Sequence, residues 1–536
     1  MEEFDYIIVG AGTAGCVLAE RLSADRRTTV LILEAGGSDQ RFWIKTPIGY
    51  GRTFADRRVN WMYQAEASPG LNGRTMYWPR GKVLGGSSSI NALVYCRGLP
   101  EDFDGWAALG NPAWGWQDVK PYFERNERSV DMSGQVRGAG ALDVKDVTPV
   151  LHPIHANWLA AARELNLPVT DDFNGEHPLG FGTYRITVRD GRRWSAADAY
   201  LRPALERPNV RLLTEALVCK VNIESRRAVG IDYLQGASRR LAKARREVIL
   251  CGGTVNSPQL LQLSGIGPGA DLAALGIAPV VDLEAVGENL QDHLAVVYSY
   301  KATRPTLNNE LHSNFAKLKV GLQYLLTRRG PASLSVNQFG GFVRTNPSAT
   351  ALADAQLYCN PVTYPAGDFA RKRINVDGFP GFYLCYQPTR PTSVGQIKLK
   401  SPDCREAPRI LPNYLSTQKD VTDVKYAARF LKTLAQTRAI GALIKEPIGP
   451  DLLSMDDAAM IEDFKARAAT VYHPVGTCRM GPSADKAVVD SQLRVHGIEA
   501  LRVADASVFP TVTAANTNAP TFMVALKAAD LIHETR

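Results

Sequence analysis

The sequence predicts an α/β domain of Rossmann-like, dinucleotide-binding type joined to an α+β domain with an antiparallel sheet, and three observations carry that reading. The first is Tyr6 to Val9, apolar enough for a buried parallel strand, followed by Gly10, Gly12 and Gly15 in Gly-x-Gly-x-x-Gly and a helical pattern, Cys16 to Leu22. The second is a set of β-rich segments between 210 and 250 that runs into Cys251-Gly-Gly-Thr254, with one more strand near 501 before a last helical pattern. The third is the region 300–465, rich in Gly, Pro and aromatic residues, where strand patterns mix with long helical ones.

In the first of these the glycines serve a tight turn, a close approach of backbone to pyrophosphate, and helix-on-strand packing, while the helix N-terminus offers free N–H groups to the anion. Glu34 closes the second strand. It stands nineteen positions after Gly15, where a carboxylate accepts hydrogen bonds from an adenosine ribose, which favours FAD or NAD over NADP. Residues 36–77 show no sustained period. Trp78 to Asn91 is a second glycine-rich stretch, in which Gly85-Gly86 admits a close approach of backbone to a flat ligand and Asn91 adds a polar side chain.

Residues 101–125 and His155 to Leu165 read as helices, with Trp106, Trp114 and Trp116 as packing residues, and Gly180 to Arg185 as turns feeding strands. Val210 to Leu213, Ala216 to Ile223, Ala228 to Leu234 and Glu247 to Leu250 form a β-meander that returns to the parallel sheet. No second Gly-x-Gly-x-x-Gly occurs, so one dinucleotide is expected. A helix at Phe315 to Thr327, strands through Phe342, Leu357, Phe382 to Tyr386 and Gln396 to Leu399, and helices at Gln418 to Thr437 and Asp456 to Ala469 read as a lid over the cofactor. A final strand ends in Asp505, and Asn518 suits the N-cap of a helix from Thr521 to Ile532 with Pro520 in its first turn. That helix aims its positive end at whatever precedes it.

Length suggests two to four domains, and 45% hydrophobic with 22% charged residues is ordinary for a globular enzyme. The net charge of +8 is spread rather than clustered, which argues for a solvated surface and against nucleic acid as a partner. The eight cysteines show no Cys-x-x-Cys pair and no metal-like spacing, so reduced thiols, a cytoplasmic protein and no metal are expected. The first strand starts within five residues of Met1, leaving no room for a signal peptide, and no run of about 18 apolar residues occurs. Peripheral attachment to the inner membrane stays open, and the oligomeric state is unreadable.

Gly10 to Glu34, Arg80 to Asn91, Gly252 to Gly267, Val286 to His293, Tyr472 to Gly481 and Asp505 to Asp530 together resemble the ordered motifs of the glucose-methanol-choline (GMC) oxidoreductases, most nearly the bacterial alcohol and choline dehydrogenase group. The resemblance implies a GMC-type FAD domain assembled from residues 1–150, 191–299 and 470–536, and a substrate domain from 151–190 and 300–469. It implies His473 as the general base, with a pKa near neutral, and Asn516 as the group that holds the substrate oxygen. Hydride would pass to flavin N5. Cofactor contacts would come from Gly10, Gly12, Thr13, Ala14, Gly15, Glu34 and Ala35 in the first motif, from Val83, Gly86 and Asn91 in the second, and from Val218, Asp505 and Asn518. Tyr472 would wall the substrate pocket, while Cys478 and His293 would be structural.

Two departures from the family pattern matter. Ile90 stands where members with covalent flavin carry histidine, so noncovalent FAD is expected. Gln338 is placed where choline-oxidising members carry a carboxylate, which shifts the expected substrate from a quaternary ammonium to an uncharged primary alcohol. The product is then an aldehyde, with electrons passed to a quinone-type acceptor. The alternatives are an oxidase that reduces oxygen to peroxide, and a redox-neutral lyase or decarboxylase, against which the His473 and Asn516 pair argues.

Overall fold

A computed structural model describes residues 2–130, 135–347, 352–365 and 375–534. The Glu2–Val9 strand enters the core along Tyr6 to Val9, where every residue is buried, and Val30–Leu33 beside it is buried throughout. Both are parallel to each other and to Val210–Leu213 and the second half of Ser238–Leu250. Leu501–Val503 adds a further parallel strand against Val248 to Leu250.

The first half of Ser238–Leu250 belongs to an antiparallel meander with Arg227–Gln235 and Ala216–Glu224. One long strand therefore serves both the meander and the parallel sheet. Two helices, Thr13–Leu22 and Asn518–Glu534, pack on each other against this sheet. The second is buried from Ala519 through Ala529, as a mostly apolar helix is, with Lys527 buried among the rest.

A second sheet is antiparallel throughout, in the order Ile444–Ile448, Leu294–Ala302, Gly381–Pro388, Ala355–Asn360, Phe339–Val343, Gly180–Thr183. Gln418–Gln436 packs against its Gly381–Pro388 strand. The buried apolar positions of that helix, Val424, Ala427, Ala428, Leu431, Leu434 and Ala435, recur at the spacing of one helical face, and Thr417 caps its N-terminus by accepting from the Asp420 N–H. Residues 36–77, without a period in sequence, form four short helical turns and most of the Tyr63–Ser68/Arg74–Trp78 hairpin. Trp106 and Trp114 are fully buried and Trp116 packs on the same core.

Two expectations are corrected here. Cys219 and Cys404 are joined in a disulfide, so six of the eight cysteines are free thiols. The last helix opens at Asn518 itself, whose side-chain oxygen accepts from Thr13 Oγ1 at 2.8 Å instead of capping a helix begun later.

Candidate active site

One large cavity, 2030 Å³, runs from Gly10, Gly12 and Glu34 at the nucleotide sheet to Tyr358 and Asn337 at the antiparallel sheet, with His473 and Asn516 on its wall. A pocket for a single small ligand is about 300–1,000 Å³, so this volume suits a dinucleotide and a substrate together.

The cradle at the nucleotide end is closely built. A Cβ on Gly15 would fall 1.9 Å from the Gly10 carbonyl oxygen, and a Cβ on Gly86 2.7 Å from Gly12 Cα. The two glycine stretches, 70 residues apart in sequence, are thus packed backbone to backbone. Gly15 serves helix packing and does not face the cavity, whereas Gly10, Gly12, Thr13, Ala14, Glu34, Ala35, Gly86, Asn91, Val218, Asp505 and Asn518 line it. Val83 does not. Its side chain is fully buried with Ile44, Val59 and Ile90, so it supports the turn from behind.

Glu34 is buried, its two carboxylate oxygens accepting from Ala11 N and Gly36 N, and burial pushes its carboxyl up to about 7. Asp505 accepts from Gly253 N and Ser257 Oγ and is likewise raised by burial. Asn91 Oδ1 accepts from the buried Arg193 guanidinium. These residues fit FAD: backbone N–H groups at the Thr13–Leu22 N-terminus for the pyrophosphate, Glu34 for a ribose, and a glycine floor under a flat ring.

At the far end the hydrogen bonds of His473 form a directed chain. His293 Nε2 lies 3.0 Å from the Thr389 carbonyl, which only accepts, so Nε2 carries the proton and Nδ1 is an acceptor. His293 Nδ1 receives Gln387 Nε2 at 3.0 Å and His473 Nδ1 at 3.1 Å. His473 therefore holds its proton on Nδ1, and its Nε2 lone pair faces Asn516 Nδ2 at 3.0 Å. Tyr358 O–H donates to Asn516 Oδ1 and fixes which end of the amide faces the imidazole. The lone pair is left at the cavity wall.

The segment that presents His473 is clamped from the Val286 to His293 motif. Asp292 accepts from His473 N, Thr470 Oγ1 and Tyr414 O–H. Tyr472 has φ +69, a left-handed conformation unusual for a bulky residue, and its carbonyl is held by Arg80 Nη2 at 2.7 Å. Its ring lines the cavity against Phe54.

Burial, then the neighbouring His293 and the Arg80 cation, push the His473 imidazole well below the usual histidine range, and burial takes His293 down to about 4. The near-neutral value expected for His473 is corrected accordingly. Buried surroundings keep the base unprotonated in place of a solution-like equilibrium.

Gln338 is also corrected. Its side chain turns from the cavity, accepting from His152 N and donating to the Ser335 carbonyl, while its neighbour Asn337 lines the cavity. Successive residues of an extended chain face opposite ways, so a one-residue error in placement exchanges the wall for the layer behind it. Sequence reading missed Asn337, Asp292 and the contact between His293 and His473. The Gln-Asp-His run was visible, but nothing local showed that Asp292 reaches residues 470–473.

A dinucleotide cradle that shares one cavity with a buried, lone-pair-presenting histidine defines an oxidoreductase of the kind that acts on CH–OH donors. The family models described as GMC oxidoreductase match residues 4–295 and 391–525. The chain is 41% identical to mouse mitochondrial choline dehydrogenase, over 99% of this chain and 89% of that one. It is 40% identical to an alcohol dehydrogenase [acceptor] of Pseudomonas putida, over 99% of this chain and 95% of that one. Among solved structures, pyridoxine 4-oxidase from Mesorbium loti superposes with a TM-score of 0.87 at 29% identity, covering 99% of each chain. Formate oxidase of Aspergillus oryzae RIB40, studied for its FAD modification, superposes at 0.92 and 26%, covering 100% and 99%. The chain belongs to the GMC oxidoreductase family. Its cofactor is FAD.

Proposed function

We propose that this protein oxidises an uncharged primary alcohol to the aldehyde, with His473 as base, and passes the electrons to a quinone-type acceptor. The observation that carries this reading is the direction of the His473 chain: Nδ1–H is committed to His293, so the Nε2 lone pair is what faces the cavity, held there by the Asn516 amide, and an alcohol oxygen entering between the two replaces that one contact. An alcohol oxygen bound there donates its proton to Nε2 and accepts from Asn516 Nδ2. The imidazolium so formed keeps its Nδ1–H on His293, so proton gain requires no ring flip. FAD, when bound, supplies the two-electron acceptor for the hydrogen leaving carbon. Ile90 at the cavity wall offers no nucleophile, which supports noncovalent FAD.

The expectation of an uncharged substrate no longer rests on Gln338. It rests on the wall itself: Glu34 and Asp505, both in the cradle, are the only carboxylates among its described residues. A second reading is a quaternary ammonium alcohol, favoured by an aromatic wall that includes Tyr50, Tyr358, Tyr364, Tyr383 and Tyr472 and by the choline dehydrogenase relatives. The acceptor is proposed by likeness to the acceptor-dependent relative, and the division of the chain at 150, 190, 299 and 469 is likewise a proposal. No described helix is long and apolar enough to cross a membrane. A cytoplasmic site of action, peripheral to the inner membrane, is part of the same reading.

Anaerobic titration of the yellow protein with primary alcohols and choline, followed by air or a quinone, tests it. Bleaching by alkanols at lower concentration than choline, and recolouring hastened by quinone, are expected. Preferential bleaching by choline moves the second reading forward, fast recolouring in air with peroxide replaces the dehydrogenase by an oxidase, and no bleaching by any alcohol overturns both.

A further inference from the structure

The helix Asn314–Thr327 is buried only at Val320 and Tyr324. Phe315, Leu318, Leu322, Leu325 and Leu326 are 79%, 67%, 54%, 53% and 76% exposed. At about 100° per residue these five fall within an arc of roughly 100°, so they form one apolar face aimed outward. Phe42 and Trp43 extend it, 52% and 43% exposed, and Phe42 shares a surface crevice with Leu325. Five large side chains on one helical face, joined to two more, go beyond the scattered apolar residues of an ordinary surface.

The surroundings are basic. Residues 304–330 contain Arg304, Lys317, Lys319, Arg328 and Arg329 against the one acid Glu310. Among the described residues none of these five cations forms an ion pair. The patch also continues into the active-site cavity, because Phe42, Trp43, Lys317, Gly321, Tyr324 and Leu325 line its wall.

We infer that the Asn314–Thr327 face docks this protein onto an anionic phospholipid surface, apolar side chains dipping into the headgroup boundary with the cations among the lipid phosphates. An amphipathic helix of this kind lies in the interface plane, its apolar face roughly 5–10 Å deep. Cations around an apolar stripe match a negative leaflet. A second copy of the chain would bring like charge against like charge, each chain carrying +8. Docked in this way, the cavity wall near Tyr324 adjoins the acyl region, and an apolar alcohol or a lipid-soluble quinone reaches the site without crossing water. That consequence rests on the proposed function; the docking does not.

The test is co-sedimentation of the FAD-loaded protein with vesicles of phosphatidylglycerol and phosphatidylcholine, and with phosphatidylcholine alone. Binding to the anionic vesicles that weakens with salt is expected. A Leu318→Ser/Leu322→Ser/Leu326→Ser variant, whose three positions lie outside the cavity wall, should partition at least roughly tenfold more weakly. It should keep its flavin spectrum and its bleaching by soluble alcohols. Lys319→Glu/Arg329→Glu should lose the preference for anionic lipid. No binding by the wild type, equal binding by the triple variant, or equal binding to both vesicle types overturns the inference. So does a change from dimer to monomer in the triple variant, which would assign the face to a second copy. Bleaching by alcohol is read separately, so failure of the docking and failure of the proposed function are distinguishable.

Discussion

The Nδ1 atoms of His293 and His473 lie 3.1 Å apart, and the Thr389 carbonyl 3.0 Å behind His293 decides which of the two rings donates between them. His293 is a positioning residue in this account: it holds the tautomer of the base through its own. Removing it should lower the rate of alcohol-driven flavin reduction on the order of 10²–10⁴-fold, the range spanned by loss of a catalytic acid–base group and by a wrong imidazole tautomer. His293→Gln, measured in anaerobic single turnovers, should show this loss with little change in alcohol affinity. A purely structural role would instead reduce FAD content and leave the rate of the remaining holoenzyme intact.

The acid side of the pH profile follows from the burial of His473. Its pKa in the folded protein lies well below the ordinary histidine value, so the unprotonated base persists as pH falls through the range where a free imidazole titrates. kcat/KM for an alcohol should therefore stay level through pH 6.5 and decline only well below it. An acid limb above pH 6.5 that is missing in His473→Ala would show that the base is not desolvated as described.

Glu34 gives a second pH dependence with its own sign. Burial raises its carboxyl to about 7, so below pH 7 the group holds a proton in the protein without FAD. Ribose hydroxyls that donate to the carboxylate favour the ionised form, and FAD binding then releases that proton. Affinity for FAD should rise with pH, by up to about tenfold per unit below 7, and level off above it. Fluorescence titration of the apoprotein with FAD reads this directly; the slope should vanish in Glu34→Gln. Equal slopes in both proteins would remove Glu34 from the ribose contact.

Much of this was legible in the chain itself, for reasons that differ between residues. Gly10, Gly12, Gly15 and Glu34 are readable because their roles are local: a turn, a helix start and the end of the next strand, all within thirty residues. The Gly86 contact with Gly12 is not, because only the folded chain brings the two stretches together. The first half of Ser238–Leu250 escaped notice because Arg239, Arg240, Lys243, Arg245 and Arg246 make it look like a charged loop; it is a strand along which all five are exposed, on both faces. Cys219 and Cys404 pair across 185 residues, a separation that leaves no spacing pattern. Gln338 and Asn337 differ by one position, and which of them faces the cavity is set by the register of a strand that begins at Phe339. The depressed pKa of His473 depends on burial by segments remote in sequence.

The central claim is that His473 Nε2 takes the alcohol proton. It is tested most directly by mixing the holoenzyme and its His473→Ala variant anaerobically with a primary alcohol and following the visible flavin absorbance. Retained FAD with reduction slowed on the order of 10²–10⁴-fold is the predicted result. Equal rates of bleaching in the two proteins would contradict it.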